Sequence, residues 1–481
     1  MTTADLQALA PQIVLAAATV VAVVAVSLRR SHGLAAGCAV AGLALATLAV
    51  WPAAQAAPRA VTMLLVADAP ALFFGAVISL AGLVVALLGH GYLARRRERR
   101  EEFYLLLLLA TFGASVLVVA EHFAALLLGL ETLSVALYGL IGYLRRERLA
   151  GEAAIKYLIL AGVATASLVL GMAFIYAETG SLRLPEAATA LAAGTGGWLV
   201  AAGVVLLVAG LGFKLALVPF HLWTPDVYAG APAPVTAFVA TVSKSAVFVV
   251  LLRTLHGTDP ARLPALTLVL AVIAGASMIA GNLLALLQSN LQRLLAYSSI
   301  AHLGYLLVAL LAGGTFGAAA AAFYLVAYVV TLLLAFGVVA LLTRPQHETL
   351  QLDDLRGLFW TRPGLASLLT GAVLSLAGLP LTAGFVAKIT LMAAGAERSF
   401  WTLLLLLVAG SAIGAFYYLR VLLAMLAKPA QGAGEAAAAE APAAPIASGF
   451  VLALLALLLV WLGLQPAPLQ SLIASVVQAW S

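Results

Sequence analysis

Four lysines and one glutamate sit where a membrane-embedded chain can least accommodate charge. Lys156, Lys214, Lys244 and Lys388 each fall inside a long apolar run, and Glu131 lies within another, LLLGLETLSVALYG. Ionisable side chains at membrane depth are rare and mark ion and proton paths when they occur. The choice of cation is informative. The 25 basic residues divide into 20 arginines and five lysines, and the arginines all read as loop or helix-end residues, with only Lys428 of the lysines in a loop. Arginine keeps its proton in proteins, whereas a buried lysine can lose it. A free lysine titrates near 10.4, so a lysine that moves protons near pH 7 must be brought down by about 3 pH units, or about 4 kcal/mol. Burial and a cationic neighbour act in that direction, and a carboxylate opposes them. A Glu/Lys pair about 5 Å apart at an effective dielectric of about 20 interacts by about 3 kcal/mol, enough to gate proton release. Glu131 is the carboxylate expected to pair with one of these lysines.

Each residue also has a plainer reading. Lys156, a few residues into its run, fits a snorkelling end residue. Lys244, between Ser243 and Ser245, fits a hydrogen-bonded packing residue. His221 and His302 suit a proton relay and a satisfied core histidine equally. Asp226 reads as a helix cap, Glu121 and His122 as interfacial residues. Tyr297, Ser298, Ser299 and Tyr305 fit either a wet path or ordinary helix packing.

The elements that must hold these groups follow from hydropathy. The chain has 481 residues, 64% hydrophobic and only 9% charged, against about a quarter charged in soluble domains. This predicts an all-α polytopic membrane protein. A span needs about 20 mostly apolar residues, which gives about 14 transmembrane helices, near 10–28, 33–51, 70–92, 103–120, 122–144, 153–178, 197–228, 233–256, 263–286, 290–312, 316–342, 363–394, 400–427 and 446–464. The seventh and twelfth are too long for plain spans and contain Pro219 and Pro380. Proline lacks the N–H and clashes with the carbonyl four residues back, so helix 7 should break near Leu215. Such breaks survive in membranes only beside protein or a wet cavity, and they mark binding sites and ion paths. Lys214 and Lys388 lie beside the two breaks.

Basic residues concentrate after the odd spans, at Arg29, Arg30, Arg95, Arg96, Arg97, Arg99, Arg100, Arg145, Arg146, Arg148, Arg344, Arg356, Arg362 and Lys428. By the positive-inside rule those loops face the cytoplasm and both termini lie outside. The net charge of +6 therefore reflects topology and not nucleic-acid binding. The start, MTTADLQALAPQ, lacks the basic region of a cleavable signal, so the first run is expected to be retained. A single cysteine, Cys38, leaves no material for an intrachain disulfide or a Cys-ligated iron–sulfur cluster. The segment from Gln346 to Pro363 alternates Asp353, Asp354, Arg356 and Arg362 with Leu355, Leu358, Phe359 and Trp360, as an interfacial stretch does. Residues 429–445, PAQGAGEAAAAEAPAAP, read as a low-complexity tether.

Internal repeats are expected around paired broken helices. SKSAVFVVLLR (243–253) aligns with GSAIGAFYYLR (410–420), and Pro219 and Pro380 are separated by about the same interval. The expected organisation is an N-terminal three-helix addition over 1–102, a first five-helix repeat over 103–256 and a second over 263–427. A flexible loop over 428–445 and a last helix with its tail over 446–481 complete it. Five crossings are odd in number, so the repeats are inverted.

The stretches FKLALVPFHLWTPDVYAGAPAPV, NLLALLQSNLQRLLAYSSIAHLGYLL, LRGLFWTRP and LSLAGLPLTAGFVAK resemble the antiporter-like membrane subunits of respiratory complex I, the proton-pumping NADH-quinone oxidoreductase. The resemblance runs from about Glu102 to Arg420 and more loosely beyond. It implies a proton path through Glu131, Lys156, Lys214, His221, Lys244, His302 and Lys388, driven by quinone reduction elsewhere in the complex. In it Glu131 and Lys214 match a modulated pair, Lys244 a central lysine and Lys388 an exit site. It further implies partners among the other membrane and peripheral subunits, including sibling antiporter-like subunits, in the bacterial cytoplasmic (inner) membrane. No cofactor is expected on this chain, with NADH, FMN, iron–sulfur clusters and quinone in partner subunits. Lys388 departs from a sibling with glutamate at that position. The alternative is a subunit of a multi-subunit cation/proton antiporter, which shares the Glu and Lys pattern; RGLFWTRPGLA and the fourteen-span count favour complex I. A solute transporter would need polar clusters beyond the lysine axis, and the sequence offers none.

Overall fold

A computed structural model describes residues 2–96, 98–192, 197–256, 262–345, 347–428 and 446–480. Arg97, Gln346 and the 429–445 tether lie outside the described residues. Among those described, 13 helices are long and apolar enough to cross a membrane. The remaining crossing, over 363–394, is divided into two helices of 15 residues, each too short to span by itself.

The chain opens with α1 (Thr3–Ala8), capped by Thr2, then α2 (Ala10–Leu28), α3 (His32–Leu48) running into the short α4 (Val50–Ala56), a hairpin of β1 (Arg59–Val61) and β2 (Leu65–Ala67), and α5 (Ala69–Ala94). The first set of five crossings is α6 (Glu101–Val119), α7 (Phe123–Ile141), α8 (Arg148–Thr179), the broken pair α10 (Trp198–Leu215) and α11 (Thr224–Gly230), and the run of α12 (Ala233–Phe238) through a π-helical turn at Val239–Ser243 into α13 (Lys244–Leu255). A short α9 (Leu184–Ala192) lies between α8 and α10. The second set is α14 (Pro264–Leu286), α15 (Leu291–Ala312), α16 (Gly314–Leu342), the broken pair α18 (Pro363–Ala377) and α19 (Ala383–Glu397), and α20 (Trp401–Leu426). The one-turn α17 (Leu358–Thr361) precedes α18, and α21 (Ile446–Leu464) and α22 (Ala467–Gln478) close the chain.

In each set the first helix packs on the second and the fifth, α6 on α7 and α13, α14 on α15 and α20. The third packs on both halves of the fourth, α8 on α10 and α11, α16 on α18 and α19. The helices α13, α15 and α16 are almost wholly buried, while α2, α8 and α21 turn most of their surface outward. The two sets of five crossings thus share one packing pattern and meet around a buried centre, where polar groups are costly unless paired.

The two breaks are made the same way. Helix α10 ends at Leu215 and α18 at Ala377, and the next residue is left-handed in both, Ala216 at φ 59° and Gly378 at φ 79°. The following amide reaches back five residues, Leu217 N–H to the Gly212 carbonyl at 2.8 Å and Leu379 N–H to the Leu374 carbonyl at 3.1 Å. This is the Schellman closure, which normally uses glycine. At Ala216 the Cβ opposes the left-handed turn by about 1–2 kcal/mol, of which glycine's extra unfolded-state entropy offsets about 0.5–1 kcal/mol. Ala216→Gly is therefore expected to stabilise the subunit by about 0.5–1 kcal/mol, read as a rise in its thermal unfolding in detergent; an unchanged midpoint means that the turn is not strained. Beside the second break, a Cβ on Gly463 of α21 would meet the Thr382 carbonyl carbon at 2.6 Å, so glycine there lets α21 lie against unwound backbone.

The segment after α16 is amphipathic, as its alternation predicts. Leu352, Leu355 and Leu358 are buried, Asp353, Asp354 and Arg356 exposed, and the Trp360 indole N–H donates to the Leu426 carbonyl at 3.1 Å. Gln292 stitches it to α15, donating to the Glu348 carbonyl at 2.6 Å and accepting from Leu350 N–H at 2.9 Å.

Candidate functional site

Lys214 occupies the last turn of α10, one residue before the helix stops. Its side chain is buried, with Nζ donating to the Ser134 hydroxyl of α7 at 2.7 Å. The rings of Tyr157 and Phe213 stand 5.7 and 5.8 Å from the amine, within the range of cation–π attraction. Glu131 lies one turn earlier on α7 than Ser134, the spacing that places two residues on one helix face. Its Oε1 accepts from Thr165 of α8 at 2.7 Å. Among the described residues Glu131 makes no ion pair within 4 Å, and its charge acts on Lys214 through space. Ser134 and Thr165 take the hydrogen bonds that each member would otherwise give the other. Between Glu131 and Lys214 the interaction is attraction through space.

Lys244 follows the π-helical turn, a device often found at functional sites. It is fully buried and donates to the Ser299 hydroxyl of α15 at 2.6 Å. Ser299 in turn shares a hydrogen bond with the Tyr328 hydroxyl of α16 at 2.6 Å and a longer one with Tyr228 of α11 at 3.3 Å. The Tyr228 ring also faces the amine, at 5.3 Å. One serine thus joins helices from both bundles to one lysine.

The same face of α15 continues one turn on with His302. Both ring nitrogens meet tyrosine hydroxyls, Nδ1 with Tyr324 at 2.7 Å and Nε2 with Tyr418 at 3.3 Å, so either tautomer is satisfied. Tyr418 bonds on to Ser298. The His302 ring centre is 5.9 Å from that of Tyr328 and 5.4 Å from that of Tyr305. Lys388 lies 5.5 Å from the same Tyr305 ring. Its Nζ donates to the carbonyls of Leu376 and Ala377 at 3.0 and 2.9 Å. A cation there complements the carbonyl end of α18, where the helix dipole is negative. Between the two groups a small cavity, about 10 Å³ for water centres, is lined by His302, Tyr328, Thr331, Ser375 and Gly384. That is room for about one water.

Two of the expected residues stand apart. Lys156 has 42% of its side chain exposed and pairs with Glu152 and Asp226, each at 2.7 Å. Asp226 also pairs with Arg293 at 2.6 Å. The residue read as a helix cap is thus the hub of a three-helix ion cluster, and the Lys156 head lies toward the surface, as a snorkelling lysine's does. His221 is buried in the unwound stretch 216–223, its Nδ1 without a hydrogen-bond partner, and no hydrogen bond links it to the Lys244 or His302 groups. Of the four residues expected along α15, Ser298, Ser299 and Tyr305 join the network and Tyr297 does not.

Tyr324 and Tyr328 of α16, with Thr331, were not among the expected residues. Tyr324, Tyr328 and Thr331 stand at i, i+4 and i+7 in FYLVAYVVT, a polar stripe along one face of an apolar helix, which is the signal that could have found them. Ser134 and Thr165 carry no such signal.

Residues 120–414 match the family described as NADH:quinone oxidoreductase/Mrp antiporter, transmembrane. A relative from Chromohalobacter salexigens named NADH-quinone oxidoreductase subunit N is 49% identical over 469 residues, covering 97% of this chain and 98% of its own. Among solved structures, a chain of respiratory complex I from Thermus thermophilus with bound aureothin superposes with a TM-score of 0.82 at 35% identity, over 96% of this chain and 99% of that one. A chain of the Mrp complex from Dietzia sp. superposes with a TM-score of 0.84 at 21% identity, over 99% of this chain and 97% of that one, a likeness of fold alone.

Proposed function

This chain belongs to the NADH:quinone oxidoreductase/Mrp antiporter membrane family, as an antiporter-like membrane subunit of complex I, and from that premise we propose that it translocates protons along a buried axis of lysines and hydroxyls. The axis runs from Glu131 and Lys214 through Lys244, Ser299 and Tyr328 to His302 and Lys388. The observation that carries this reading is the unbroken contact from the Lys244 amine through Ser299 to Tyr328 at 2.6 Å per step, sealed from lipid between the two broken helices. Hydroxyls can accept and donate at once, so they pass protons where a fixed charge cannot. Glu131 tunes Lys214 through space, and a movement that brings the carboxylate closer holds the proton on the amine. Lys156, paired with Asp226, and His221 serve uptake at the margins of the axis.

In this reading quinone reduction elsewhere in the complex drives the movement. NADH, FMN, the iron–sulfur clusters and quinone reside in partner subunits, and the chain sits in the bacterial inner membrane with both termini outside.

A tagged chain purified from its native membrane is expected to bring peripheral NADH-oxidising subunits and sibling membrane subunits with NADH-quinone reductase activity. Small membrane partners alone, with cation-dependent proton exchange and no NADH oxidation, would instead favour the antiporter alternative. Within the assembled complex, Lys214→Ala and Glu131→Ala should each lower proton pumping several-fold, measured by dye quenching in proteoliposomes. Wild-type pumping in both would remove this pair from the axis.

A further inference from the structure

A pair of joined spaces lies away from the lysine axis. Between α8, α10, α13 and α14, roofed by α9, runs an open groove of about 80 Å³, with walls such as Leu168, Leu207, Leu211, Leu251, Leu266 and Leu270. It offers almost no polar surface. At Leu184, Ala188 and Thr254 it meets a second, polar space of about 540 Å³ that shares those three residues. This vestibule is lined by Asp68, Glu121, Arg253, His256 and Trp480.

The depth of the two spaces differs in a telling way. The groove lies along the spans, whereas the vestibule gathers helix ends: the start of α5, the junction of α6 and α7, the start of α9 and the last turn of α13. It therefore sits at headgroup level, and the groove at the level of the acyl chains. The Trp480 ring, stacked on His256 at 4.1 Å, is the kind of amphipathic aromatic found at that boundary.

We infer that the two spaces together hold one zwitterionic, ammonium-bearing phospholipid, with an acyl chain in the groove and the headgroup in the vestibule. The charges select the head. Two carboxylates, Asp68 and Glu121, face one guanidinium, Arg253, leaving one net negative charge among the lining residues, so an anionic headgroup meets repulsion and a zwitterion does not. Arg253 pairs with Asp68 at 2.8 Å, both side chains about nine-tenths buried, and its remaining N–H groups are the donors a phosphate would use. Glu121 is held only loosely by Arg183, at 3.5 Å, and offers its carboxylate to an ammonium. A phosphate beside Arg253 and an ammonium beside Glu121 would be charge-assisted contacts, stronger than neutral ones. The lipid would also complete the packing of α9 over α10 and α13.

Ala188 is partly buried on α9, at the neck between the two spaces. An indole there blocks the neck while leaving the spans untouched. The intact complex, washed in mild detergent and examined by native mass spectrometry, is expected to retain one phosphatidylethanolamine fewer as Ala188→Trp than as wild type. Rebinding of phosphatidylethanolamine to the delipidated complex should weaken at least tenfold in that variant, and phosphatidylglycerol should rebind at least tenfold more weakly than phosphatidylethanolamine to the wild type. A photo-crosslinking residue at the exposed Thr189, in an otherwise wild-type complex, should capture phospholipid. Equal retention in the two proteins, equal rebinding of the two lipids, or a polypeptide adduct at position 189 would each overturn the inference.

Discussion

Lys244→Arg is expected to assemble normally and to lose proton pumping by at least tenfold, about 1.4 kcal/mol in the barrier. The substitution keeps a cation and a hydrogen-bond donor at the head of Ser299, but a guanidinium does not release its proton in proteins. If Lys244 serves only as a fixed charge that orders Ser299 and Tyr328, arginine should sustain pumping. If it passes protons, arginine stops them. The site is fully buried, so the larger head could also act by crowding. Lys244→Met separates the two effects, because it keeps the unbranched stem and removes the head. Full pumping in Lys244→Met, with the complex intact on native gels, would assign a loss in Lys244→Arg to crowding; loss in Lys244→Met shows that the amine itself is needed. Full pumping in Lys244→Arg would make Lys244 structural and cut the axis at its centre. The assay is the ratio of proton uptake to NADH oxidation in proteoliposomes, which distinguishes a blocked proton path from a slower enzyme.

The reach of the sequence over this fold is uneven for physical reasons. Hydropathy places the crossings because a span must be apolar along its whole length, and the two overlong runs with internal prolines announce the two breaks. Lys214, Lys244, His302 and Lys388 were legible because a charge or an imidazole in an apolar run has few innocent uses. The partners of those residues were not. Ser134, Thr165, Tyr228 and Tyr418 are ordinary helix-packing types, and only the bundle geometry brings them within reach of a lysine, a histidine or, for Thr165, Glu131. The hydroxyls beside the Glu131 and Lys214 pair were equally hidden: Thr165 donates to Glu131 and Ser134 accepts from Lys214, while the two charges act on each other through space. Asp226 shows the converse, a residue that looked like a local cap and instead ties α11 to α8 and α15. Charge counting fails in the same way at Arg96. It belongs to a basic loop read as setting topology, and nothing in RRRERR marks Arg96 as the arginine, among the described ones, whose side chain is only 2% exposed.

That arginine sets the largest stability effect expected in the chain. The Arg96 guanidinium grips Glu348 through two bonds, Nε to Oε1 at 2.8 Å and Nη2 to Oε2 at 2.6 Å, while Tyr92 donates to Oε2 at 2.6 Å. Arg96 also donates to the Tyr92 carbonyl at 2.8 Å and lies over its ring at 3.2 Å. Glu348 is 11% exposed and anchors the segment that Gln292 fastens to the start of α15. Glu348→Ala leaves a buried guanidinium without its counter-ion, and breaking a buried pair in this manner costs about 3–5 kcal/mol. The expected result is a subunit that unfolds at lower denaturant and is nicked by protease near 344–352, with the axis residues unaltered. Arg96→Met combined with Glu348→Leu should recover most of the loss, since an apolar pair of similar volume can replace buried ions without penalty. A loss below about 1 kcal/mol in Glu348→Ala would place the pair with exposed ion pairs and leave the attachment of this segment to Gln292 and the buried leucines. Should the double variant remain as unstable as Glu348→Ala, the geometry of the Arg96 fork over Tyr92, and not the relief of an unpaired charge, is what holds α5 to the segment after α16.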